Sequence, residues 1–386
     1  MIPIKTYNAI SPKGLAVFPA DAYTVGPDVE KPLAIIVRSQ DLLKETIPES
    51  VLAIGRAGAG VNNIPVEAMS ARGIVVFNAP GGNANAVKEL VIGALIGANR
   101  NIVAAAHFVE SLTTEGEALQ KEIEGGKKKF SGSEIKGKSL GVIGLGAIGG
   151  EVANAACALG MEVLGHDPYA TPEQLARLSP TIQVVTDKND IFAADAITVH
   201  VPLLPATRGT VNAESFAHMK RGAILLNYSR DGIVDDAAAL DALKNGTLAK
   251  YVTDFPSREL IGVPGVIATP HLGASTEDAE DNCAMMIARQ VRDYLENGNV
   301  VNAVNVPKVA LPSNGGARIS IIHENVPDML GKITHTLGER GINIESAANG
   351  AKGGLAYTLM NVGNKPEEGV LVALRAIPHV IRVRAL

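Results

Sequence analysis

The chain has 386 residues, which is enough for two or three domains. Its residues are 46% hydrophobic and 19% charged, a balance that excludes a disordered chain. The formal net charge of −5 argues against a dedicated nucleic-acid-binding protein, which usually has a clustered basic excess. The cysteines are too few for a disulfide framework, and no apolar run has the length of a membrane span or the position of a signal peptide. A cytoplasmic protein is therefore expected.

The first third of the chain alternates short apolar runs with helical patterns. The runs at residues 33–37, 52–55 and 74–77 predict buried strands because glycine, proline or asparagine bounds them. A stretch rich in Ala, Val, Ile and Leu then extends from residue 85 to residue 112 without a proline. This stretch predicts one long helix that leads into a second domain.

A second series of strands begins with the LGVIG run at residues 140–144. Further strands, with helical patterns between most of them, are predicted at residues 161–165, 196–201, 223–228, 251–254 and 266–268. This alternation predicts a doubly wound parallel sheet. A helical pattern at 277–295 then returns the chain, so the predicted first domain comprises residues 1–98 and 275–305, and the inserted domain comprises residues 99–274.

The C-terminal part restarts after a predicted linker at residues 306–316. Strand and helix patterns follow in the order βαββαβ over residues 317–386, which is typical of a ferredoxin-like module. The predicted fold is therefore α/β. It has two doubly wound parallel-sheet domains of the Rossmann or flavodoxin-like kind and a C-terminal ferredoxin-like module.

The clearest motif is the glycine turn Gly144-Leu-Gly146-Ala-Ile-Gly149, which follows a strand and opens an apolar helix. Gly144 permits the tight turn, Gly146 lets the backbone approach a pyrophosphate, and Gly149 allows close packing of helix and strand. Asp167 ends the next strand, where a carboxylate binds a ribose 2′-hydroxyl and repels a 2′-phosphate. The motif predicts a dinucleotide site that prefers NAD. An idle turn, with Asp167 as a surface residue, is the alternative.

Arg230, Glu259 and His271 form a candidate catalytic set. Arg230 and His271 each follow a predicted parallel strand, at the sheet edge where ligands bind in open α/β folds. Histidine transfers a hydroxyl proton near neutral pH, and arginine binds a carboxylate in a planar fork. Glu259 lies between them in the sequence and is expected to hold the tautomer of His271. The set predicts oxidation of a 2-hydroxy acid, although each residue alone is more often structural.

Several segments resemble one protein family and occur in its order along nearly the whole chain: GRAGAGVNNI, FNAPGGNANAVKEL, GVIGLGAIG, HVPLLPATRG, NYSRDGIVD and PHLGAST. The chain resembles the D-isomer-specific 2-hydroxyacid dehydrogenases, and among them those that oxidise 3-phosphoglycerate and carry a C-terminal ACT domain. The resemblance implies that Arg230, Glu259 and His271 are catalytic, that Asp254 faces the nicotinamide carboxamide, and that no metal is needed. It implies cofactor contacts at Gly144, Gly146, Ala147, Ile148, Gly149, Asp167, Val201, Pro202, Tyr228, Ser229, Arg230, Asp254, His271, Gly273 and Ala274.

The sequence also departs from the family near the catalytic set. Asp231 follows Arg230 where the family usually has glycine, and Leu260 follows Glu259 where it usually has proline. The loop from Glu259 to His271 is short. These departures make Glu259 the catalytic assignment most in need of structural support.

The resemblance further implies a substrate site and an effector site. Arg56 is the expected ligand of the substrate phosphate, and the main-chain amides of Ala57, Gly58, Ala59 and Gly60 are expected to be available to a carboxylate. In relatives inhibited by serine, a His-x-Asn pair and a later asparagine bind the amino acid, and the corresponding residues are His323, Asn325 and Asn343. A module that serves only for dimerisation is the alternative.

The expected function is the NAD-dependent oxidation of 3-phospho-D-glycerate to 3-phosphohydroxypyruvate, the first step of L-serine biosynthesis. A glyoxylate or hydroxypyruvate reductase of the same fold is the first alternative, because the catalytic set does not name the substrate. A non-catalytic NAD-binding regulator is the second. A homodimer or homotetramer is expected, with no nucleic-acid or membrane partner.

Overall fold

A computed structural model describes residues 1–386. The chain forms two compact units, one made of Met1–Asn83 and Glu277–Leu386 and the other of Ala84–Thr276. The split first domain and the inserted second domain follow the predicted arrangement, but the crossing points differ. The first crossing lies before residue 84 instead of after residue 98, and the C-terminal module belongs to the same compact unit as the first domain.

The N-terminal part of the first unit is a five-stranded parallel sheet of order β2-β1-β3-β4-β5. Its elements are β1 (Ile2–Thr6), α1 (Pro12–Leu15), β2 (Tyr23–Gly26), β3 (Ala34–Val37), β4 (Ala53–Arg56), α2 (Val66–Ala71) and β5 (Val75–Phe77). The three predicted strands correspond to β3, β4 and β5. The first two strands lie outside the sequence prediction.

The second unit contains a seven-stranded parallel sheet of order β12-β11-β10-β9-β6-β7-β8. The strand order reverses between β6 and β9, which creates the crevice where doubly wound folds bind ligands. The elements are α3 (Ala84–Asn99), α4 (Ile102–Glu110), α5 (Gly116–Gly126), β6 (Ser139–Ile143), α6 (Ala147–Ala158), β7 (Glu162–His166), α7 (Pro172–Leu175), β8 (Gln183–Val184), α8 (Lys188–Phe192), β9 (Ala196–Val199), α9 (Ala213–Ala217), β10 (Ala223–Asn227), α10 (Asp236–Asn245), β11 (Leu248–Thr253) and β12 (Val266–Ala268).

The single long helix predicted for residues 85–112 is wrong, because the structure divides it into α3 and α4 with a bend of 67°. Asn101 lies at the break in the left-handed region, with φ of 53°. Val87, Val91 and Leu95 of α3 pack in the apolar core beneath the seven-stranded sheet, which explains why α3 belongs to the second unit. No single helix of the chain has the length and apolar character to cross a membrane, and only the bent pair of α3 and α4 meets both criteria jointly.

The remainder of the first unit begins with the helix that returns from the second unit. Its elements are α11 (Glu277–Asn297), β13 (Ala317–Glu324), α12 (Met329–Gly338), β14 (Ile344–Lys352), β15 (Leu355–Val362), α13 (Glu368–Arg375) and β16 (Val380–Ala385). The last six form the predicted βαββαβ module, whose antiparallel sheet has the order β14-β15-β13-β16. The α/β fold with two parallel-sheet domains is thereby confirmed, and a small antiparallel domain follows them.

One face of the antiparallel sheet packs into the core of the first unit. Ile322, Tyr357 and Leu359 share an apolar cluster with Tyr294 of α11. The predicted linker is also ordered, because Val306 and Val309 are buried in the same cluster. The C-terminal module is therefore packed against the parallel-sheet part of this unit instead of being tethered by a loose connection.

Candidate active site

The glycine turn lies at the carboxyl end of β6. The space around each of its three glycines explains why a glycine stands at that position. Gly144 has φ of +89°, and a Cβ atom there would lie 2.6 Å from the carbonyl oxygen of His200. A Cβ on Gly149 would lie 1.9 Å from the carbonyl oxygen of Gly144, so only glycine lets α6 approach the strand this closely. A Cβ on Gly146 would meet no atom within 4 Å. Gly146 therefore leaves space on the open side of the turn.

These residues fit a dinucleotide. The first amides of α6, at Ala147, Ile148 and Gly149, have no partners within the helix, and a helix N-terminus favours a negative pyrophosphate. Asp167 is half-buried beside the turn, and its two carboxylate oxygens accept hydrogen bonds from the amides of Leu145 and Tyr169, both at 2.9 Å. Each oxygen retains lone pairs for a ribose hydroxyl.

The carboxyl ends of β9 and β10 are joined beside this turn. The Ser229 hydroxyl donates a hydrogen bond to the carbonyl oxygen of Val201, next to Pro202. The Asn227 side chain accepts from the Ser229 amide at 3.1 Å and donates to the Arg230 carbonyl at 3.0 Å. The Arg230 side chain is exposed, and its only hydrogen bond goes to the carbonyl oxygen of Ser229. The guanidinium thus has no carboxylate partner in the protein and is available to an anionic substrate.

The Tyr228 ring does not reach this surface. It is buried in the apolar core of the second unit, where burial and the negative charge of Asp254 raise its pKa to about 12. The Tyr228 side chain therefore supports the strand end through packing, and the expected contact of Tyr228 with the cofactor stays a prediction.

Asp254 organises the loop that carries His271. One carboxylate oxygen accepts hydrogen bonds from the Thr269 hydroxyl at 2.6 Å and the Leu272 amide at 2.8 Å, and the other accepts from the Gly273 amide at 2.8 Å. The Asp254 carbonyl oxygen accepts from the His271 amide at 3.1 Å. The buried carboxylate thus holds the loop, and the expected contact of Asp254 with the nicotinamide stays a prediction.

His271 has an unusual backbone conformation, with φ of +55°. Residues other than glycine rarely adopt this left-handed conformation, which persists where surrounding bonds enforce it. The exposed side chain packs against Phe255, with ring centroids 4.6 Å apart. Ala274 follows in the same loop and is half-buried. The loop thus presents an imidazole at the carboxyl edge of the sheet that also carries Arg230 and the glycine turn.

In the first unit, Arg56 ends β4 and lies in a tightly bonded loop. Its side chain donates to the carbonyl oxygens of Arg38 at 3.2 Å and Gly60 at 2.7 Å. The prediction that the Ala57 and Gly58 amides bind a carboxylate is wrong, because these amides donate to the carbonyl oxygens of Val37 and Arg56, both at 2.8 Å. The next two amides of the loop, at residues 59 and 60, have no acceptor in the protein.

Comparison with known proteins identifies the family. Residues 92–273 match the family model of the D-isomer specific 2-hydroxyacid dehydrogenase, NAD binding domain. The D-3-phosphoglycerate dehydrogenase of Escherichia coli is 33% identical over 373 residues, which cover 91% of this chain and 86% of that protein. The chain belongs to the D-isomer-specific 2-hydroxyacid dehydrogenase family.

Two further relatives of this family are similar to the chain. The D-3-phosphoglycerate dehydrogenase of Methanocaldococcus jannaschii is 37% identical over 321 residues, or 80% of this chain, but the match spans only 58% of the longer archaeal protein. The crystal structure of NAD+-bound 3-phosphoglycerate dehydrogenase from Entamoeba histolytica superposes with a TM-score of 0.60 and 27% identity, covering 79% of this chain and 98% of that one. These matches support NAD as the cofactor of the second unit.

The expected pairing of Glu259 with His271 is not present. No hydrogen bond or ion pair joins the two side chains, and Phe255 occupies one side of the imidazole instead. Glu259 lies in a short 3₁₀ turn, Arg258–Leu260, in which Leu260 is fully buried. The buried leucine anchors the turn and leaves Glu259 exposed, close enough to Asp236 to contribute to the raised pKa of that carboxyl, after the larger effect of burial.

The three residues predicted to bind serine do not form one site within one chain. His323 is 2% exposed, and its ring nitrogens contact the Glu324 carbonyl oxygen at 2.8 Å and the Thr358 hydroxyl at 3.1 Å. Asn325 lies near the end of β14, since its side chain donates to the Gly353 carbonyl at 3.3 Å. Asn343 precedes the start of β14, and the eight residues of β15 separate the two positions in register, or about 30 Å at the rise of a strand. His323 is engaged within the sheet, and Asn343 lies at its opposite end.

Two structurally important residues were not predicted from the sequence. Asn227 holds the Arg230 loop, and its position directly before Tyr228 at a strand end was the available signal. Phe255 contacts His271, and an aromatic residue directly after Asp254 gave only a weak sign of this role.

Proposed function

We propose that this protein catalyses the NAD-dependent oxidation of 3-phospho-D-glycerate to 3-phosphohydroxypyruvate, the entry reaction of L-serine biosynthesis. The observation that carries the proposal is the arrangement at the carboxyl edge of the seven-stranded sheet. There an exposed arginine without a carboxylate partner and a histidine held in a left-handed loop share the edge with an open glycine turn. The names of the relatives in Escherichia coli and Methanocaldococcus jannaschii support the choice of substrate.

Each residue has a defined task in this reaction. The α6 N-terminus, Gly146 and Asp167 hold NAD, which accepts the hydride from C2 of the substrate. Arg230 binds the substrate carboxylate and polarises the C2 oxygen, and His271 takes the hydroxyl proton. Arg56 is proposed to bind the phosphate. Glu259 is proposed as the third catalytic group on the resemblance to the family alone, because no hydrogen bond or ion pair joins it to His271 in this structure. Of the four amides expected to be available to a carboxylate, those of Ala59 and Gly60 remain as the main-chain donors proposed for the substrate.

Initial rates in the reducing direction test the substrate. We expect kcat/KM for 3-phosphohydroxypyruvate to exceed that for glyoxylate or hydroxypyruvate by about 100-fold, because a site built for a phosphate rejects analogues that lack it. The Arg56→Gln variant should reduce this ratio of kcat/KM values, because it should raise KM for 3-phosphohydroxypyruvate and leave KM for the substrates without a phosphate unchanged. Faster turnover of glyoxylate than of 3-phosphohydroxypyruvate would overturn the proposal in favour of a glyoxylate or hydroxypyruvate reductase.

We also propose that the protein is a homo-oligomer in the cytoplasm. Ile102, Val103 and Val109 of α4 are 44–52% exposed, and no residue of this apolar helix is buried. Such a surface is typical of an interface between subunits. Both cysteines are free, in agreement with a reducing compartment.

We propose, finally, that the C-terminal module is an ACT domain that binds serine between two copies. The outer edge of β14 has no neighbouring strand, and exposed edges favour pairing. If two copies of β14 pair in antiparallel fashion, the start of one strand meets the end of the other. Asn343 of one copy would then approach Asn325 of its partner, with His323 behind it.

A further inference from the structure

The amino-terminal edge of the seven-stranded sheet, opposite the cofactor edge, contains a cavity of about 380 Å³. It lies at the beginnings of β6, β9, β10 and β11 and is bounded by the segment 131–133 and the C-terminal end of α3. Four cationic side chains line it, from Lys138, Lys220, Arg221 and Lys250, against the single carboxylate of Asp195. None of these residues takes part in the proposed oxidation.

The single carboxylate is already neutralised within the protein. Asp195 accepts hydrogen bonds from the amide and the hydroxyl of Ser139 at 2.9 Å and 2.8 Å, and it pairs with the ammonium group of Lys220 at 3.2 Å. Three cations therefore remain without a counter-charge in the cavity wall. Lys138 and Lys250 are half-buried, and their ammonium groups make neither an ion pair nor a hydrogen bond. The guanidinium group of Arg221 donates only to the carbonyl oxygen of Asn245.

The neutral part of the wall includes the C-terminal end of α3, whose carbonyl oxygens are partly engaged within the protein. The main-chain oxygen of Asn99, at the end of α3, accepts a hydrogen bond from the Ser133 amide at 3.0 Å, and its side-chain oxygen accepts from the Ser133 hydroxyl at 3.0 Å. The carbonyl dipoles at this helix end are thus partly satisfied. An adjoining cavity is lined by Arg100, Lys127 and Lys128 and by the single carboxylate of Glu134, and Lys127 pairs with Glu124 outside it. In a chain with a net charge of −5, the two cavities form a local positive field.

We propose that this cavity is a second, non-catalytic binding site for a small anion that carries a phosphate group. A phosphate has close to two negative charges at neutral pH and several strong acceptor oxygens, which suits three uncompensated cations. Lysine ammonium groups bind phosphate as point charges, and the volume is sufficient for a compact phosphomonoester. The site lies at the opposite edge of the sheet from the glycine turn, so its occupant does not compete with NAD.

Phosphate titration of the full-length protein tests the site, with sodium chloride at matched ionic strength as the reference. The titration is made in the Arg56→Gln background, which removes the phosphate ligand proposed for the substrate. Calorimetry should detect one saturable phosphate site per chain. The further changes Lys138→Gln and Lys250→Gln together should weaken this binding by about tenfold or more, because each removes a charged donor. Lys244→Gln on α10, where the exposed lysine pairs with Asp241, is the matched control and should not alter it.

A second measurement needs no variant. Inorganic phosphate should slow the acetylation of Lys138 and Lys250 in the wild-type protein, as read by mass spectrometry, and leave Lys244 unchanged. Glycerol 2-phosphate is tested in parallel with inorganic phosphate. The ligand with the lower Kd shows whether the site prefers a phosphate ester or free phosphate. Equal phosphate affinity in the Lys138→Gln/Lys250→Gln protein, or acetylation that phosphate does not slow, would overturn the proposal without affecting the proposed oxidation.

Discussion

Asp254 shows how one buried side chain determines the position of another. Its carboxylate accepts three hydrogen bonds from residues 269–273, and these bonds close the loop around the left-handed His271. The position of the His271 imidazole thus depends on a carboxylate that does not itself contact it. The sequence placed Asp254 at a strand end and His271 at a loop but could not relate them, because their hydrogen bonds span 15 to 19 residues.

Asp254→Asn should therefore impair both stability and catalysis. The substituted amide places a donor against donors from the loop, and we expect the free energy of unfolding to fall by about 2 kcal/mol. Because a displacement of about 1 Å in a catalytic group is costly, kcat should fall by about 100-fold. Urea unfolding and steady-state kinetics measure both effects. Asp241→Asn, at an exposed ion pair on α10, is the control, and an Asp254→Asn protein that behaves like this control would contradict the role assigned to Asp254.

His200 has a separate role beneath the glycine turn. One ring nitrogen contacts the Thr198 hydroxyl at 2.9 Å, and the other is buried without a partner. Burial lowers the pKa of His200 to about 3, so the folded protein keeps the ring neutral. The unfolded chain takes up a proton at pH about 6.5, which the folded chain does not. The stability contributed by this neutral ring is thus fully present above pH about 6.5 and is lost as the pH falls toward 3.

The His200→Gln variant should lack this component of acid sensitivity. We expect the free energy of unfolding, measured with urea at pH 7 and pH 5, to fall less in the variant than in the wild type. Contributions from carboxylates are common to both proteins and cancel in the comparison. An equal fall in both proteins would show that His200 is protonated as readily in the folded state as in the unfolded state.

At the scale of elements, the glycine turn offers a matched pair of substitutions. Gly149→Ala places a Cβ atom 1.9 Å from the Gly144 carbonyl oxygen, so α6 must move away from β6. Gly146→Ala meets nothing within 4 Å and has an ordinary φ of −66°. The first change should lower the free energy of unfolding by about 2–3 kcal/mol, and the second should leave it within about 0.5 kcal/mol of the wild type.

Both changes should weaken NAD binding, for different reasons. Gly149→Ala displaces the helix N-terminus, whereas Gly146→Ala puts a methyl group where the pyrophosphate approaches the backbone, with an expected rise in Kd of about tenfold or more. Fluorescence titration with NADH measures the affinity, and thermal unfolding measures the stability. A Gly146→Ala protein that binds NADH normally would show that the cofactor does not approach this face of the turn.

The helices and strands that the sequence did not reveal have specific physical reasons. The break between α3 and α4 lies at Asn101, which adopts a left-handed conformation without a proline or glycine to mark it. The strand β1 contains Pro3 although it lies inside the sheet, and proline is usually confined to edge strands, so this run gives little sign of an internal strand. By contrast, the glycine turn, the parallel strands β6, β7 and β9 to β12, and the βαββαβ order could be predicted, because each depends on local periodicity and turn chemistry. The two-residue edge strand β8 (Gln183–Val184) was not predicted, because it is too short to show a periodic pattern.

At the scale of the whole molecule, arginines explain why the C-terminal module belongs to the first compact unit. Arg384 donates to the carbonyl oxygens of Tyr294 and Leu295, and Arg318 donates to that of Asn297, all at the C-terminal end of α11. The last carbonyls of a helix have no intrahelical donors and carry partial negative charge. The antiparallel sheet therefore caps α11. In a sequence, arginines at alternating positions of a strand normally indicate a face exposed to solvent. The contact of Arg318 and Arg384 with the end of α11 therefore could not be predicted from the sequence.

Whether one chain alone can bind serine also depends on the arrangement of the whole molecule. Asn325 and Asn343 lie at opposite ends of the antiparallel sheet, and pairing of two β14 edges would bring them together from different chains. Serine should inhibit the wild type and should inhibit neither the Asn325→Ala nor the Asn343→Ala protein. In a mixed oligomer, one of the two sites then lacks both asparagines, whereas the other regains both from unaltered positions.

We therefore expect serine inhibition to return, in part, when the two variants are unfolded together and refolded as a mixture. Each variant refolded alone is the control, and the rate of NADH oxidation with 3-phosphohydroxypyruvate at increasing serine concentration is the measurement. A site contained within one chain would not be restored, because every chain in the mixture still lacks one asparagine. Inhibition that persists in both single variants would instead remove serine binding from these residues and leave the module a role in assembly alone.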